Sequence, residues 1–582
     1  MRTTSQLSFT THDGTTLFYR HWPSASPRGK ALMLFHRGHE HSERLQHLVD
    51  ELKLDDFDIF AWDARGHGNN TGPRGYAPDF GYFVRDAQAF SEHIQTVHGI
   101  AQENTAVIAQ SVGAVIASAW VHDYAPRIRA LVLASPAFSV NLFVPGAVPA
   151  LKLAHAIKGE FFVNSYVKGK LLTHDPVRQQ SYDSDPLVTK PIAVNILLEL
   201  YEVSERLVSD AGAIRVPTLM LVSGKDYVVR EAPQKKFFDG LASQTKRWIK
   251  LDGFYHDTLG ELEREKAFAP LREFVLGRFS QPMWDAKDLL RAHEEGLTFK
   301  EYSELEKPLP AFSLKALNFG MTRAVLNGPG KWLSEGIRVG AETGFDSGSS
   351  LDAVYRNTAT GKGFLGRFVD RQYLDAIGWR GIRQRKVNLE QQLAEAIRLV
   401  RSRNEPLVLV DIAAGHGRYV LDALASVTLQ KGDRVVLRDY SPINVSAGQA
   451  LIKQRGLDAF VTFEQGDAFD PQQLATLPRA NVAVVSGLYE LFPSNELVSQ
   501  SLAGLAGAVA PNAQLLYTGQ PWHPQMEFIA RVLTSHRAGA AWVMRRRTQL
   551  ELDTLVQNAG FAKRSSVADR WGIFTVSRAE RK

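Results

Sequence analysis

Ala106-Val107-Ile108-Ala109-Gln110-Ser111-Val112-Gly113-Ala114-Val115-Ile116-Ala117 decides how the first half of the chain folds. An apolar run is followed by Gln110, Ser111 and a second run of small apolar residues, which reads as a buried strand turning sharply into a helix. Ser111 then sits at the tip of the turn. The turn holds its hydroxyl out of the sheet and aims the next backbone N–H, that of Val112, to where an oxyanion would form. Helix and strand approach closely only if the residues two before and two after the serine are small, and Ala109 and Gly113 occupy those places. The usual form is G-x-S-x-G, and Ala109 adds one methyl group at a crowded position without removing the turn. A core helix with an incidental serine would give the same short pattern, so the reading stands on partners elsewhere in the chain.

Upstream, alternating residues over 7–22 around Asp13-Gly14 predict a hairpin. The apolar run 30–35 leads into His36-Arg37-Gly38-His39-Glu40-His41-Ser42. A glycine-bearing loop straight after a strand and ahead of the nucleophile is where a second oxyanion donor arises, and the Gly38 N–H is the candidate. The three histidines there also raise a metal site, although their spacing suits neither a helical pair nor a zinc arrangement; no metal is expected. A strand at 57–62 then ends in Asp63-Ala64-Arg65-Gly66-His67-Gly68. These stretches, H-x-G-x-E-H-S, D-x-R-G-H-G and the serine turn, in this order, resemble the α/β-hydrolase branch that contains monoacylglycerol lipases, lysophospholipases and serine aminopeptidase-like hydrolases. The resemblance covers residues 5–280.

That family implies the order Ser, Asp, His, with the later partners at strand ends. The apolar strand ending at 223 runs into Gly224-Lys225-Asp226-Tyr227-Val228, which offers Asp226, and a strand over 248–252 is followed by His256. The imidazole would take the Ser111 proton and the carboxylate would hold its tautomer. Asp252 and Asp257 rival Asp226 by sequence distance, but neither ends a strand ahead of the histidine. The family also implies a helical cap, here about 137–212, opening with Phe138-Ser139-Val140-Asn141-Leu142-Phe143-Val144-Pro145-Gly146. Apolar residues with Lys152, Lys158, Lys168 and Lys170 among them would make an entrance that docks peripherally on an anionic lipid surface. An ordinary solvated cap over a small polar pocket has the same composition. The substrates implied are carboxylic esters of the lysophospholipid or monoacylglycerol kind.

A chain of 582 residues is too long for one core and predicts two or three domains. With no cysteine it has no disulfide, thiolate metal site or cysteine nucleophile. A net charge of +6 is mild for this length and favours an acidic substrate or an anionic membrane surface only where it is concentrated; small-molecule or lipid substrates and no nucleic acid are expected. The first residues lack the apolar run of a signal peptide and no segment is apolar for long enough to span a bilayer, so a cytoplasmic location is expected.

The predicted boundaries are 1–280 for the hydrolase, 281–400 for a linker and a helical, basic pre-domain, and 401–582 for a third segment. From Arg356 to Lys386 eight Arg or Lys stand against two Asp, suited to a phosphate or carboxylate, or simply to a solvated face. Leu407-Val408-Leu409-Val410-Asp411-Ile412-Ala413-Ala414-Gly415-His416-Gly417-Arg418 is a buried strand, a small-residue loop and a helix start, and 434–439 is a second strand ending in Asp439. This is a nucleotide-binding arrangement, for nicotinamide or for S-adenosylmethionine. Val420 replaces the third glycine of the dinucleotide pattern. The Asp411-x-Ala413-x-Gly415-x-Gly417 loop instead resembles class I methyltransferases, which have a Rossmann-like α/β fold and use S-adenosyl-L-methionine. In that resemblance Asp439 receives the ribose hydroxyls, Asp467 with Ala468 at the end of a third strand receives the adenine amino group, and 481–492 meets the methyl group and acceptor.

Methyl transfer needs alignment more than a base; His523 and Glu490 are the possible bases. A late helix is expected over 548–561 and a closing strand over 571–576. This half is similar to the methyltransferase domains fused behind α/β-hydrolases in some bacterial proteins. The expectation is a bifunctional enzyme, serine ester hydrolase and methyltransferase; the alternative is a hydrolase regulated by a non-catalytic domain that binds S-adenosylmethionine or another nucleotide.

Overall fold

The computed structural model describes residues 2–26, 29–142 and 146–582. The chain divides into two compact units, Met1–Asp285 and Ala286–Lys582. Among the described residues no helix is long and apolar enough to cross a membrane.

In the first unit the strands are β1 (Ser5–Thr10), β2 (Thr16–Trp22), β3 (Ala31–Phe35), β4 (Asp58–Trp62), β5 (Thr105–Gln110), β6 (Ala130–Ala134), β7 (Phe162–Asn164), β8 (Pro191–Ala193), β9 (Thr218–Ser223) and β10 (Lys246–Leu251). Eight of them form one sheet in the order β1-β2-β4-β3-β5-β6-β9-β10. β1 pairs with β2, and β2 with β4, antiparallel; the other pairs are parallel. The central strands β3, β5, β6 and β9 are buried along their whole length, which is why they read as continuous apolar runs rather than alternating ones. Their side chains Leu32, Ile108, Val132 and Leu219 meet Phe268 and Leu271 of the helix Glu265–Phe279 in one core.

The insertion between β6 and β9 forms the cap. It holds the helices Ala147–Lys158, Pro176–Ser184 and Val194–Ser209. It is not wholly helical, because β7 and β8 pair antiparallel as a separate two-stranded sheet. With three residues each they are too short to announce themselves as strands in the sequence. Phe143, Val144 and Pro145 of the predicted cap opening lie outside the described residues.

The second unit carries β11 (Val408–Asp411), β12 (Arg434–Asp439), β13 (Val461–Gln465), β14 (Ala480–Val485), β15 (Val509–Gly519), β16 (Phe561–Ala568) and β17 (Thr575–Arg581). The sheet order is β13-β12-β11-β14-β15-β17-β16. β11 to β15 run parallel, while β17 inserts antiparallel between β15 and β16. The order reverses between β11 and β14, so a crevice is expected at the carboxyl ends of those strands. β16 has no counterpart in the sequence reading, which places only a closing strand near 571–576. It is an edge strand in which Lys563, Arg564, Ser565 and Ser566 mask the apolar alternation.

Residues 286–402 fold into the second unit. The helices Leu297–Glu306, Leu314–Val325, Glu335–Thr343, Gly348–Arg356 and Gly363–Leu374 precede the long helix Ile377–Ser402. Ile337, Leu374 and Trp379 from this layer share a core with Ile529, Met544 and Phe574 from beyond β15. Part of the basic run 356–386 is held in ion pairs. Arg356 pairs with Asp352, Arg371 with Asp375, Lys386 with Asp422, and Arg385 with the buried Glu490.

Candidate active sites

Ser111 begins the helix that follows β5 and takes φ +52°, a left-handed conformation costly for a residue with a Cβ. The turn is held by close approach: a Cβ on Gly113 would lie 2.3 Å from the carbonyl oxygen of His36. At the other small position Ala109 is fully buried.

The three side chains expected to act together converge. His256 Nε2 lies 2.7 Å from Ser111 Oγ and its Nδ1 lies 2.8 Å from Asp226 Oδ2. With Nδ1 donating to the carboxylate, Nε2 is the unprotonated nitrogen facing the hydroxyl. The other oxygen of Asp226 accepts the backbone N–H groups of Val228 and Val229, at 2.8 and 2.9 Å, which fix the carboxylate at the end of β9. Of the rival acids, Asp252 is exposed on the turn after β10. Asp257 is buried but faces Arg178 at 2.9 Å and Arg37 at 3.4 Å.

Gly38 and Val112 line one cavity with Ser111 and His256, of about 130 Å³, whose walls include Leu142, Leu197 and Val229. A Cβ on Gly38 would meet Val112 Cγ2 at 3.0 Å, so the loop after β3 packs tightly against the residue that follows Ser111. Sequence reasoning missed what braces this loop. Arg37 and Arg44 both bind the buried Glu40, at 2.6 and 2.8 Å, and Arg37 also reaches Asp257. Burial would raise the Glu40 carboxyl, but the two guanidinium groups outweigh it and hold it well below the usual range. The histidines of the loop are spent on separate partners: His36 on the Arg37 carbonyl and the Ala64 N–H, His39 on the Thr189 carbonyl, His41 on Asp185.

In the second unit Gly415 and Gly417 both adopt positive φ, +59° and +72°. A Cβ on Gly417 would stand 2.6 Å from Leu437 Cδ1, whereas one on Gly415 would meet only Gly348 Cα, at 3.6 Å. Gly417 therefore lets the loop close on β12, and Gly415 leaves its face open to a ligand. The Gly415 N–H donates to Asp439 Oδ2 at 2.9 Å, and Asp439 Oδ1 accepts from the Ser441 N–H and the Asn444 amide. Asp439 is half-buried at the loop, with acceptor lone pairs to spare for hydroxyls. Asp467 Oδ1 accepts the Phe469 N–H at 2.8 Å, leaving its second oxygen for an amino group; Ala468 beside it is buried. An open small-residue loop with a carboxylate at each of the next two strand ends fits S-adenosylmethionine.

Asp411 has another place than a ligand contact. Its carboxylate is fully buried and accepts from the Tyr419 hydroxyl at 2.7 Å and the Ala413 N–H at 3.1 Å, so it braces the loop from below. Burial pushes its pKa up to about 7.

A second cavity, of about 370 Å³, opens at the carboxyl end of β14 against Gly487 and Glu490. Its walls are mostly apolar, among them Ile337, Trp379, Phe528, Met544 and Phe574. His523 and Glu490 both line it, each already held by a neighbour. Burial lowers His523 to about 4, and its Nδ1 accepts the Gln525 N–H, which leaves Nε2 as a donor. Glu490 is paired with Arg385 at 3.2 Å.

Residues 26–263 match the family described as serine aminopeptidase, S33, and residues 271–581 match the family described as "Putative methyltransferase". The chain is 52% identical over 578 residues to "Uncharacterized protein YnbC" of Escherichia coli (strain K12), covering 99% of this chain and 98% of that protein. It is 25% identical over 247 residues to "Phospholipase YtpA" of Bacillus subtilis (strain 168), covering 42% of this chain and 94% of that protein. It is 26% identical over 284 residues to "Monoacylglycerol lipase" of Mycolicibacterium smegmatis, covering 47% of this chain and 98% of that protein. With a glycine-loop sheet behind a hydrolase fold, and a family match over more than half its length, the chain belongs to the "Putative methyltransferase" family and carries a serine aminopeptidase-like α/β-hydrolase domain in front of it.

Proposed function

We propose that the chain is a two-headed enzyme: a serine hydrolase of apolar carboxylic esters, of the monoacylglycerol or lysophospholipid kind, joined to an S-adenosylmethionine-dependent methyltransferase with an apolar acceptor. The observation that carries the hydrolase is the continuous hydrogen-bonded chain Asp226, His256, Ser111, of which Ser111 and His256 open on a largely apolar cavity. His256 Nε2 takes the proton as Ser111 Oγ attacks the ester carbonyl, and Asp226 stabilises the imidazolium. The Val112 and Gly38 N–H groups hold the oxyanion. His256 then protonates the departing alcohol, and water, activated the same way, releases the acid and restores Ser111. The lipase and phospholipase names of the relatives agree with the apolar walls.

In the second unit Asp439, Asp467 and the Gly415 loop would hold S-adenosylmethionine, which supplies an electrophilic methyl group. This chain's part is to keep an acceptor in the mostly apolar cavity beside Gly487 and aligned. That His523 is held as a donor and Glu490 is paired with Arg385 fits an acceptor that needs no base from them, and equally favours the second reading, a non-catalytic unit that senses the ligand. Titration calorimetry with S-adenosylmethionine followed by an assay for S-adenosylhomocysteine over apolar acceptors separates the two: binding without turnover supports the sensor. Ser111→Ala should abolish ester hydrolysis and leave S-adenosylmethionine affinity unchanged, and residual hydrolysis in that variant would refute the assignment of the nucleophile.

A further inference from the structure

The helix Leu314–Val325 runs through a π-turn at Leu326–Gly330 into the short helix Lys331–Leu333. Not one side chain of Leu314–Val325 is buried. Leu314, Leu317, Met321 and Val325 recur at steps of three and four and so share one face, and Trp332 follows at the end of the same run. All five are exposed, Leu314 at 86%, and Phe312 just before them is exposed at 94%. The face continues onto a second helix. The Lys362 N–H donates to the Leu333 carbonyl at 2.9 Å and the Lys362 ammonium stands over the Trp332 ring at 5.1 Å, which joins the start of the helix Gly363–Leu374 to this run. That start bears Phe364, Leu365 and Phe368, again exposed. Single exposed apolar side chains are ordinary; nine large ones on adjoining segments are not.

Charge identifies what covers them. Residues 307–334 contain Lys307, Lys315, Arg323 and Lys331, and residues 357–369 contain Lys362 and Arg367; neither stretch holds an Asp or Glu. Lys307, Lys315 and Lys331 meet Glu304, Glu527 and Glu342 in exposed pairs, weak enough to exchange for other anions. A second copy of the same face would set this excess of cations against its own like charge. An anionic bilayer has the opposite charge at its surface and an apolar layer beneath it, matching Trp, Phe and Leu on the face and Lys and Arg around it.

We propose that the face formed by 312–332 and 362–368 docks the second unit on an anionic phospholipid bilayer. Leu326 and Val369, on the same two elements, line the 370 Å³ cavity, so docking would bring that cavity's wall to the lipid and give an apolar ligand a route that avoids water. The docking does not depend on methyl transfer or on ester hydrolysis.

The test is co-sedimentation of the full chain with vesicles of phosphatidylcholine alone, or with about a quarter phosphatidylglycerol, at low salt and at about 0.5 M salt. Binding is expected to the anionic vesicles at low salt and to weaken with salt. Lys362→Glu with Arg367→Glu should lower the partition coefficient at least about tenfold. Leu317→Ser with Met321→Ser and Phe364→Ser should do the same, and thermal unfolding of both variants checks that they fold. Three results would overturn the proposal: no binding of the wild type to anionic vesicles; folded variants that bind like the wild type, with loss of binding in Leu153→Ser with Ile157→Ser then placing the contact in the cap; or a wild-type dimer that the apolar variant converts to monomer.

Discussion

A carboxylate's role here is set by what it touches. Asp226 reaches His256 because two backbone N–H groups at the end of β9 turn its other oxygen away. Asp257, next to His256 in the chain, is held below the usual carboxylate range, where Arg178 and Arg37 outweigh the effect of its burial. Asp226→Asn should therefore cost turnover by on the order of 10⁴ while leaving the fold intact, as loss of the orienting acid does in other triads. Asp257→Asn would leave two guanidinium groups short of a partner and should lower the melting temperature instead. Steady-state rates on a short-chain ester and thermal unfolding of the two variants check this, and an inactive Asp252→Asn beside an active Asp226→Asn would reverse the choice of acid.

At the scale of an element, the turn from β11 into the helix Arg418–Leu424 is fastened from beneath by Asp411. Burial raises its pKa from 3.8 to about 7, so between those values the folded unit holds a proton that the unfolded chain has released. Stability then falls as pH rises across that window. Asp411→Asn keeps the shape and removes the titration, so its urea-unfolding free energy should lose this decline and at pH 8 equal or exceed that of the wild type. At about 1.4 kcal/mol per pKa unit the difference is a few kcal/mol. A wild-type profile that is flat from pH 4 to 7 for the second unit's transition would remove Asp411 from this role. The turn at Ser111 is fastened by sterics instead, since Gly113 admits the His36 carbonyl where any side chain would collide.

For the whole molecule, two units with separate cores predict separable activities. Asp439→Ala removes the partner of the Gly415 N–H and the proposed acceptor for ribose hydroxyls, and should weaken S-adenosylmethionine binding by roughly 10- to 150-fold. Ser111-dependent hydrolysis should not change; calorimetry and an ester assay on the same preparation test both halves of this statement. The sequence by itself determined the hydrolase sheet, the strand ends that bear Ser111, Asp226 and His256, and the glycine loop, because buried parallel strands are continuous apolar runs with these residues at their ends. Local pattern carries that information. It did not determine β16, the ion-paired Glu40 beneath Gly38, the bracing role of Asp411, or the cavity beside Gly487. Each of these depends on which side chains distant segments bring together, and only the tertiary structure decides that. The exposed stripe on Leu314–Val325 shows the same limit: its apolar spacing looks like the buried face of a core helix, whereas the fold turns Phe319, on the other side, to the core and leaves the stripe outside.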